Sequence, residues 1–132
     1  MTRWRTLGVV LALLAAGACG TDDDSTAAKP AGPYDLLYQG LCVTRARASQ
    51  PAAARTAFFD RAHQPLHELA AAVARDNRAA AARLLEAKQL VERDLAGDAI
   101  GLAGDLDRLL DATRRAIAAT GRPPPRPCQE AP

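Results

Sequence analysis

The chain has 132 residues, with 17 Lys and Arg side chains against 15 Asp and Glu side chains. Alanine, leucine, arginine, aspartate and glutamate dominate it, and valine and isoleucine are sparse, which favours helix throughout. The basic side chains are interleaved with acidic ones, whereas a nucleic-acid-binding surface usually needs a clustered excess of Lys and Arg. We therefore expect an all-α protein that binds no nucleic acid.

The first 18 residues have the three parts of a secretory signal peptide. Arg3 and Arg5 supply the positive charge, and an apolar segment of ten residues follows from Leu7 to Ala16. A membrane-spanning helix needs about 20 apolar residues, so this segment is too short to remain as an anchor. We predict that residues 1–18 export the protein and are then removed.

The segment Ala16-Gly17-Ala18-Cys19 resembles the lipobox of bacterial lipoproteins, in which small residues precede a cysteine that receives diacylglycerol on its sulfur. The resemblance covers this segment alone, and Ala16 stands where the family usually has leucine. It implies that Cys19 becomes a lipidated N-terminus that anchors the protein to the outer face of the cell membrane. The same residues also fit the Ala-x-Ala pattern of ordinary secretory cleavage, which would cut the same bond and leave Cys19 without lipid.

The three cysteines are Cys19, Cys42 and Cys128. An odd thiol is a liability in an oxidising compartment, but if Cys19 carries lipid the other two can pair with each other. Cys42 alone could be a small buried residue on a helix, whereas Cys128 lies in a proline-rich tail that is a poor position for a core residue. We predict a Cys42–Cys128 disulfide that clamps the tail, residues 121–132, to the domain.

Residues 19–33 are predicted to form a flexible tether that links the lipid to the domain. The segment has three adjacent aspartates and no apolar period, so it cannot bury enough surface to offset the entropy lost on ordering. Loss of Arg3 and Arg5 with the signal peptide leaves 15 basic and 15 acidic side chains, so the mature chain has no net charge when histidine is neutral.

Residues 34–120 are predicted to form a small up-and-down bundle of three to four helices, because connections of two to five residues make neighbouring helices antiparallel. The first helix runs from about Pro33 to Ala48, with Leu37 and Leu41 facing inward. The second begins near Pro51, a favourable first-turn residue. Its apolar positions follow helical spacing and are Phe58, Ala62, Leu66, Leu69 and Val73.

The third predicted helix begins after the capping signal Asp76-Asn77 and runs to about Ala96, with Gly97 as its stop. The fourth follows Asp98 as a candidate cap and ends before Gly121. The apolar positions are Ala80, Leu84, Val91 and Leu95 in the third helix, and Leu102, Leu106, Leu109, Thr113 and Ile117 in the fourth. Because many core positions are alanine, the core is small. A small core gives limited stability. A disulfide that closes most of the domain could add about 4 kcal/mol to the free energy of unfolding.

His63 and His67, the two histidines of the chain, are four residues apart. On a continuous helix such positions point the same way and can share a metal ion. Asp60 could join the same edge. Copper or zinc is the candidate cofactor of such a site. Further ligands would have to come from elsewhere, and Glu86 and Glu92 on the third helix are candidates.

Pro65 lies between the two histidines. It either kinks the helix at the Arg61 carbonyl or starts a new helix as a first-turn residue. In the second case we expect His63 to fall in the preceding cap, so that the shared edge is lost. Two histidines beside an apolar stripe are also explained as structural residues at the border of the core, or as proton-linked sensors.

The sequence contains no recognisable catalytic set, so we expect no enzyme. Ser25 and Ser49 lack the glycine-flanked elbow of a nucleophile, and there is neither a Cys-x-x-Cys pair nor a phosphate-binding loop. Lys88 falls on the apolar side of the third helix, where its stem can snorkel towards water. Two hypotheses remain, which are a lipid-anchored interaction or accessory module that binds another envelope protein, and a small extracytoplasmic metal-binding protein.

Overall fold

The computed structural model describes residues 32–129, and this part of the chain is all-helical, which confirms the predicted fold class. It has five helices, which are α1 (Pro33–Ala46), α2 (Pro51–Arg61), α3 (His63–Ala74), α4 (Arg78–Ala96) and α5 (Leu102–Ala119). The predicted signal peptide, Cys19 with most of the predicted tether, and residues 130–132 lie outside the described residues.

The expected number of three to four helices is wrong, because the segment predicted to be the second helix is divided at Ala62. The backbone there leaves helical geometry, with φ −121° and ψ −37°. Pro65 has no N–H to donate to the Arg61 carbonyl, and its ring would clash with that carbonyl in a continuous helix. Helix α3 therefore begins at His63 and places Pro65 in its first turn, where an N–H has no partner within the helix.

Helices α2 and α3 lie end to end along one path that is antiparallel to α1. In the middle of α1, Gly40 lies against Arg61 at the end of α2. Near the start of α1, Tyr34 lines a cavity together with Val73 near the end of α3. The segments on both sides of the break at Ala62 therefore run antiparallel to α1.

Helices α4 and α5 complete the domain. His63 at the start of α3 lies beside Glu92 near the end of α4, so these two helices run in opposite directions. Arg45 near the end of α1 pairs with Asp107 near the start of α5, at 2.6 Å between Nε and Oδ1. Helix α5 therefore packs against both α4 and α1, and it closes the domain.

The core runs through all five helices and contains the apolar positions that helical spacing predicts. Phe58 is the largest of its fully buried side chains, and burial of each side chain of this size contributes about 1.5–3 kcal/mol. The predicted inward positions of α2 to α5 are buried except Ala80, which is half-buried: Phe58, Ala62, Leu66, Leu69, Val73, Leu84, Val91, Leu95, Leu102, Leu106, Leu109, Thr113 and Ile117.

Helix α4 has the ends that its sequence predicts. The Oδ1 atom of Asn77 accepts a hydrogen bond from the Ala80 N–H at 2.9 Å, which caps the first turn. Such a cap contributes about 1 kcal/mol. At the other end Gly97 is the C-cap residue, and its N–H donates to the Arg93 carbonyl. The predicted Asn77 cap and Gly97 stop of this helix are therefore confirmed.

The expectation that Asp98 caps α5 is wrong. Its Oδ1 atom accepts a hydrogen bond from the Ile100 N–H at 3.3 Å, inside the turn that precedes α5. Ala99 in this turn has φ 59°, a left-handed backbone conformation that residues other than glycine seldom adopt. Because the turn is longer than predicted, α5 begins at Leu102 with Gly101 as its N-cap.

The C-terminal tail is bound to α1 by a disulfide. The sulfurs of Cys42 and Cys128 lie 2.07 Å apart, and the two Cα atoms 5.5 Å apart, which are the dimensions of a disulfide bond. Arg114 of α5 donates a hydrogen bond to the Pro125 carbonyl at 3.2 Å. The described part of the proline-rich tail is therefore held against both α1 and α5.

Candidate functional site

His63 and Glu92 bring the two neighbouring helices α3 and α4 together at a polar contact. The Nε2 atom of His63 lies 3.0 Å from Oε1 of Glu92, and both side chains are about 30% exposed, at 31% and 28%. Of the two acidic residues considered as further ligands, Glu92 is therefore the one beside a histidine. Glu86 instead borders a groove between α4 and α5.

His67 lies one turn further along α3. The expectation that a new helix would separate the two histidines is wrong, because α3 starts at His63 itself and contains both. Their ring centroids are 5.0 Å apart in an edge-to-face arrangement. Partial burial, and then the charges of Lys88 and His63, lower the pKa of His67 below its ordinary value. The neutral imidazole, the form that can bind a metal, is thereby favoured.

Lys88 joins this group from α4. Its side chain is 4% exposed, and Nζ donates a hydrogen bond to Oε1 of Glu92 at 2.7 Å, so the ammonium stays inside the fold instead of snorkelling to water. The same Glu92 oxygen contacts His63. The spacing of four residues between Lys88 and Glu92 is the sequence signal for this ion pair, and the sequence interpretation missed it. We call His63, His67, Lys88 and Glu92 the histidine cluster.

Asp60, the third predicted metal ligand, lies in α2 on the other side of the helix break and is exposed. Among residues 32–129, no three His, Cys, Asp or Glu side chains form a group that could hold a metal ion. In the histidine cluster the ammonium of Lys88 takes the place beside Glu92 that a cation would otherwise occupy. The predicted set of His63, His67 and Asp60 is therefore not assembled.

Phe59 extends the histidine cluster along the surface. Its ring is 41% exposed, and its centroid lies 5.1 Å from that of the His63 ring. The guanidinium of Arg55 lies over the Phe59 ring, 5.2 Å from its centroid, and donates a hydrogen bond to the Leu95 carbonyl. These contacts give the exposed ring a structural explanation.

A second polar feature joins the end of α4 to the start of α5. Asp94 and Asp105 both border Gly101, where a Cβ would stand 2.9 Å from Oδ2 of Asp94 and 3.7 Å from Oδ2 of Asp105. The Oδ2 atom of Asp94 is buried and has no hydrogen-bond partner within residues 32–129. Burial, followed by the nearby charge of Asp105, raises the pKa of Asp94.

The sequence interpretation also missed this acidic pair, although the position of Asp105 within the apolar stripe of α5 was a signal for a buried carboxylate. Asp105 lies directly before Leu106 in the buried stripe of α5 and is 7% exposed. Arg108 compensates its charge, because Nη1 donates to Oδ1 of Asp105 at 2.7 Å. Asp94 has a weaker counterpart, since the Nε atom of Arg93 is 4.0 Å from its Oδ1. The pair therefore carries one more carboxylate than its neighbouring guanidinium groups neutralise at short range.

A shallow groove of about 290 Å³ runs along the outer side of α4 and α5. Apolar residues form its floor, and charged residues form its rim. The floor consists of Ala80, Ala87, Leu90 and Ala112, and the rim of Arg83, Glu86, Arg108, Asp111 and Arg115. Such a floor of small side chains leaves room for another helix to approach closely, as in helix-in-groove recognition.

No protein-family model matches the chain, and neither a curated protein nor a solved structure matches it. Within residues 32–129, every helix is too short or too polar to cross a membrane.

Proposed function

We propose that this protein is an exported lipoprotein whose helical domain serves as an interaction or accessory module in the cell envelope. The observation that carries the proposal is the Cys42–Cys128 disulfide. Disulfides persist in oxidising compartments outside the cytoplasm and are rare inside it. With these two cysteines paired, Cys19 is the remaining thiol, and it stands where the resemblance to a lipobox places the lipid.

The internal contacts of the described polar residues support binding rather than catalysis. In the histidine cluster, Lys88 and His63 both contact the same Glu92 oxygen, so these groups stabilise the packing of α3 on α4. Asp105 is held by Arg108 in the same way. His63, Lys88, Glu92 and Asp105 are thus engaged within the fold, whereas the groove between α4 and α5 faces outward.

The lipid anchor is tested by membrane fractionation of the full chain in a bacterial host. We expect the wild-type protein in the membrane fraction with diacylglycerol on Cys19, because two acyl chains give stable membrane binding. Cys19→Ser should be released or remain an unprocessed precursor. Cys42→Ser is the matched control, since it removes a cysteine but leaves the anchor. A mature N-terminus with unmodified Cys19 in the mass spectrum would exclude the lipid anchor and would indicate secretion without lipid.

The interaction role is tested by chemical crosslinking in intact cells of the native host. We expect the anchored protein to form a discrete crosslinked species that survives detergent extraction. The Cys19→Ser protein should lose that species if the partner lies at the membrane. A protein that crosslinks to nothing under conditions that capture a known envelope complex would contradict a role as an interaction module.

We propose metal binding by His63 and His67 as the second candidate function, with copper or zinc as the metal. The observation that favours it is the position of Glu92 beside His63, at 3.0 Å between Oε1 and Nε2. Metal–ligand bonds of about 2.0 Å at tetrahedral angles separate neighbouring ligand atoms by about 3.3 Å. The separation of His63 from Glu92 is therefore close to that of two ligands of one metal ion, and a metal bound there would have to displace Lys88 from Glu92.

Titration calorimetry with zinc and copper at neutral pH tests this candidate. His63→Ala and His67→Ala should each abolish binding, and affinity should fall as the pH is lowered, because only a neutral imidazole can bind the metal. Asp60→Asn is the control and should bind as the wild type does, because Asp60 belongs to α2. Equal affinity in the double alanine variant would exclude the site.

A further inference from the structure

The outer face of α4 carries two opposite charges that have no ion-pair partner among residues 32–129. Arg83 and Glu86 are both exposed, and they lie three residues apart at the rim of the groove. Their neighbours across the groove are engaged, since Arg115 pairs with Asp111 at 2.7 Å. The rim therefore presents one free guanidinium and one free carboxylate on the same helix.

These two residues would pair with each other across a twofold axis. If two copies of α4 pack antiparallel about an axis between Leu84 and Leu85, Arg83 of each copy faces Glu86 of the other. Such a contact is isologous, meaning that the same patch serves both copies. Two equal ion pairs would form, and every unpaired charge on this face of α4 would be neutralised.

The same axis also matches large side chains with small ones. Leu90 of one copy, which is half-buried at the floor of the groove, would lie opposite the exposed Ala79 of the other. A leucine that projects towards an alanine in the facing helix fills the space that the small side chain leaves. The face is therefore complementary to itself in size as well as in charge.

The charge of the groove does not favour a strongly acidic or strongly basic partner. With Asp105, which holds Arg108 just outside the floor, this side of α4 and α5 has three arginines and three carboxylates. A rim with equal numbers of positive and negative charges favours a partner surface with the same balance of charges, and a second copy of this chain presents such a surface. With the axis between Leu84 and Leu85, residues 78–91 of the two copies of α4 would overlap, which corresponds to a contact about 21 Å long.

We infer that α4 mediates a symmetric dimer, with the groove between α4 and α5 as its interface and a second copy of this chain as the occupant. The inference rests on the proposed role as an interaction module and names its partner. It does not depend on lipid at Cys19. Attachment to a membrane would strengthen the dimer further, because it confines both copies to a surface and raises their effective concentration.

Analytical ultracentrifugation of the oxidised chain from residue 20 to residue 132, which contains all five helices, tests the dimer. We expect a reversible dimer, and Arg83→Glu and Glu86→Arg should each weaken association by about tenfold or more, because each places like charges together at two symmetric contacts. The combined variant, Arg83→Glu with Glu86→Arg, should recover wild-type association. Arg47→Glu is the control, since Arg47 is an exposed arginine outside the groove.

Unfolding of the same variants at low protein concentration separates a loss of association from a loss of folding, and we expect their melting temperatures to agree. A chain that stays monomeric at about 1 mM, the weak end of specific affinity, would overturn the dimer. So would a combined variant that associates as weakly as the single ones. Crosslinking in cells to a different protein by a chain that is monomeric in the centrifuge would retain the interaction role and overturn self-association.

Discussion

Gly40 in the middle of α1 lies directly against Arg61, the last residue of α2. A Cβ atom at position 40 would stand 2.9 Å from Cβ of Arg61 and 3.2 Å from its carbonyl oxygen. That carbonyl has lost its helical partner, because Pro65 has no N–H to donate. The helix break and the glycine therefore occur at the same level of the bundle, where α1 approaches the backbone of its neighbour.

We predict that Gly40→Ala destabilises the protein by about 1–3 kcal/mol, because the added methyl group overpacks this contact. Alanine is the better helix former by about 1 kcal/mol, so propensity alone predicts the opposite sign. Gly104→Ala in α5 is the matched control, since its added Cβ would meet nothing within 4 Å, and it should be stabilising. Urea unfolding measures both. Stabilisation by both substitutions would show that the contact at Gly40 is loose.

The disulfide should contribute about 4 kcal/mol to stability, because it closes a loop of 86 residues in the unfolded chain. Cys42→Ser and Cys128→Ser should lower the melting temperature equally, and the double variant should be no worse than either. Wild-type protein with reductant should melt with the serine variants. Two free thiols in protein isolated without reductant would contradict this prediction.

Asp94 should make stability depend on pH. Its pKa in the folded protein lies above the ordinary value of 3.8, because of burial and the charge of Asp105. A raised pKa means that the protonated form stabilises the fold at low pH, and that this contribution is lost as the pH rises through the raised value. Above that value the ionised and partly unpaired carboxylate therefore weakens the fold.

Asp94→Asn should accordingly stabilise the protein by about 1 kcal/mol at pH 7, since its amide can donate to Asp105. The gain should shrink as the pH is lowered towards 4. Asp60→Asn, at an exposed position of α2, is the control for removal of one negative charge. Melting curves from pH 4 to pH 8 measure the difference. An equal effect of the two substitutions at every pH would contradict a specific role for the Asp94–Asp105 pair.

Glu92 should matter more to stability than its partial exposure suggests. Glu92→Gln leaves the buried ammonium of Lys88 without its carboxylate, and we expect a loss of about 2 kcal/mol. Lys88→Met keeps the apolar stem and should cost less, and the double variant should recover part of the loss. Asp107→Asn, which breaks an exposed pair with Arg45, should cost less than about 1 kcal/mol. Additive effects in the Lys88 and Glu92 double-mutant cycle would mean that the two do not interact.

Features that depend on neighbouring residues could be predicted from the sequence. Leu66, Leu69 and Val73 are buried because apolar residues at helical spacing share one face, and Asn77 caps α4 because its side chain reaches the third N–H of the helix. Pro65 indicated that the helix is interrupted near this position, either by a kink or by the start of a new helix. Its position could not decide between a kink and a new helix, since that depends on how the segment packs against α1.

The sequence by itself determined the helical class and the buried faces, because these follow from periodicity. It also predicted the Cys42–Cys128 pair, on the condition that Cys19 carries lipid. The tertiary structure alone decided which polar residues meet. His63 contacts Glu92, which is 29 residues away in the sequence. Asp94 and Asp105 both border Gly101, in the turn that joins α4 to α5. A helical period states which residues face inward, whereas the register between two helices is set by the packing of the whole core.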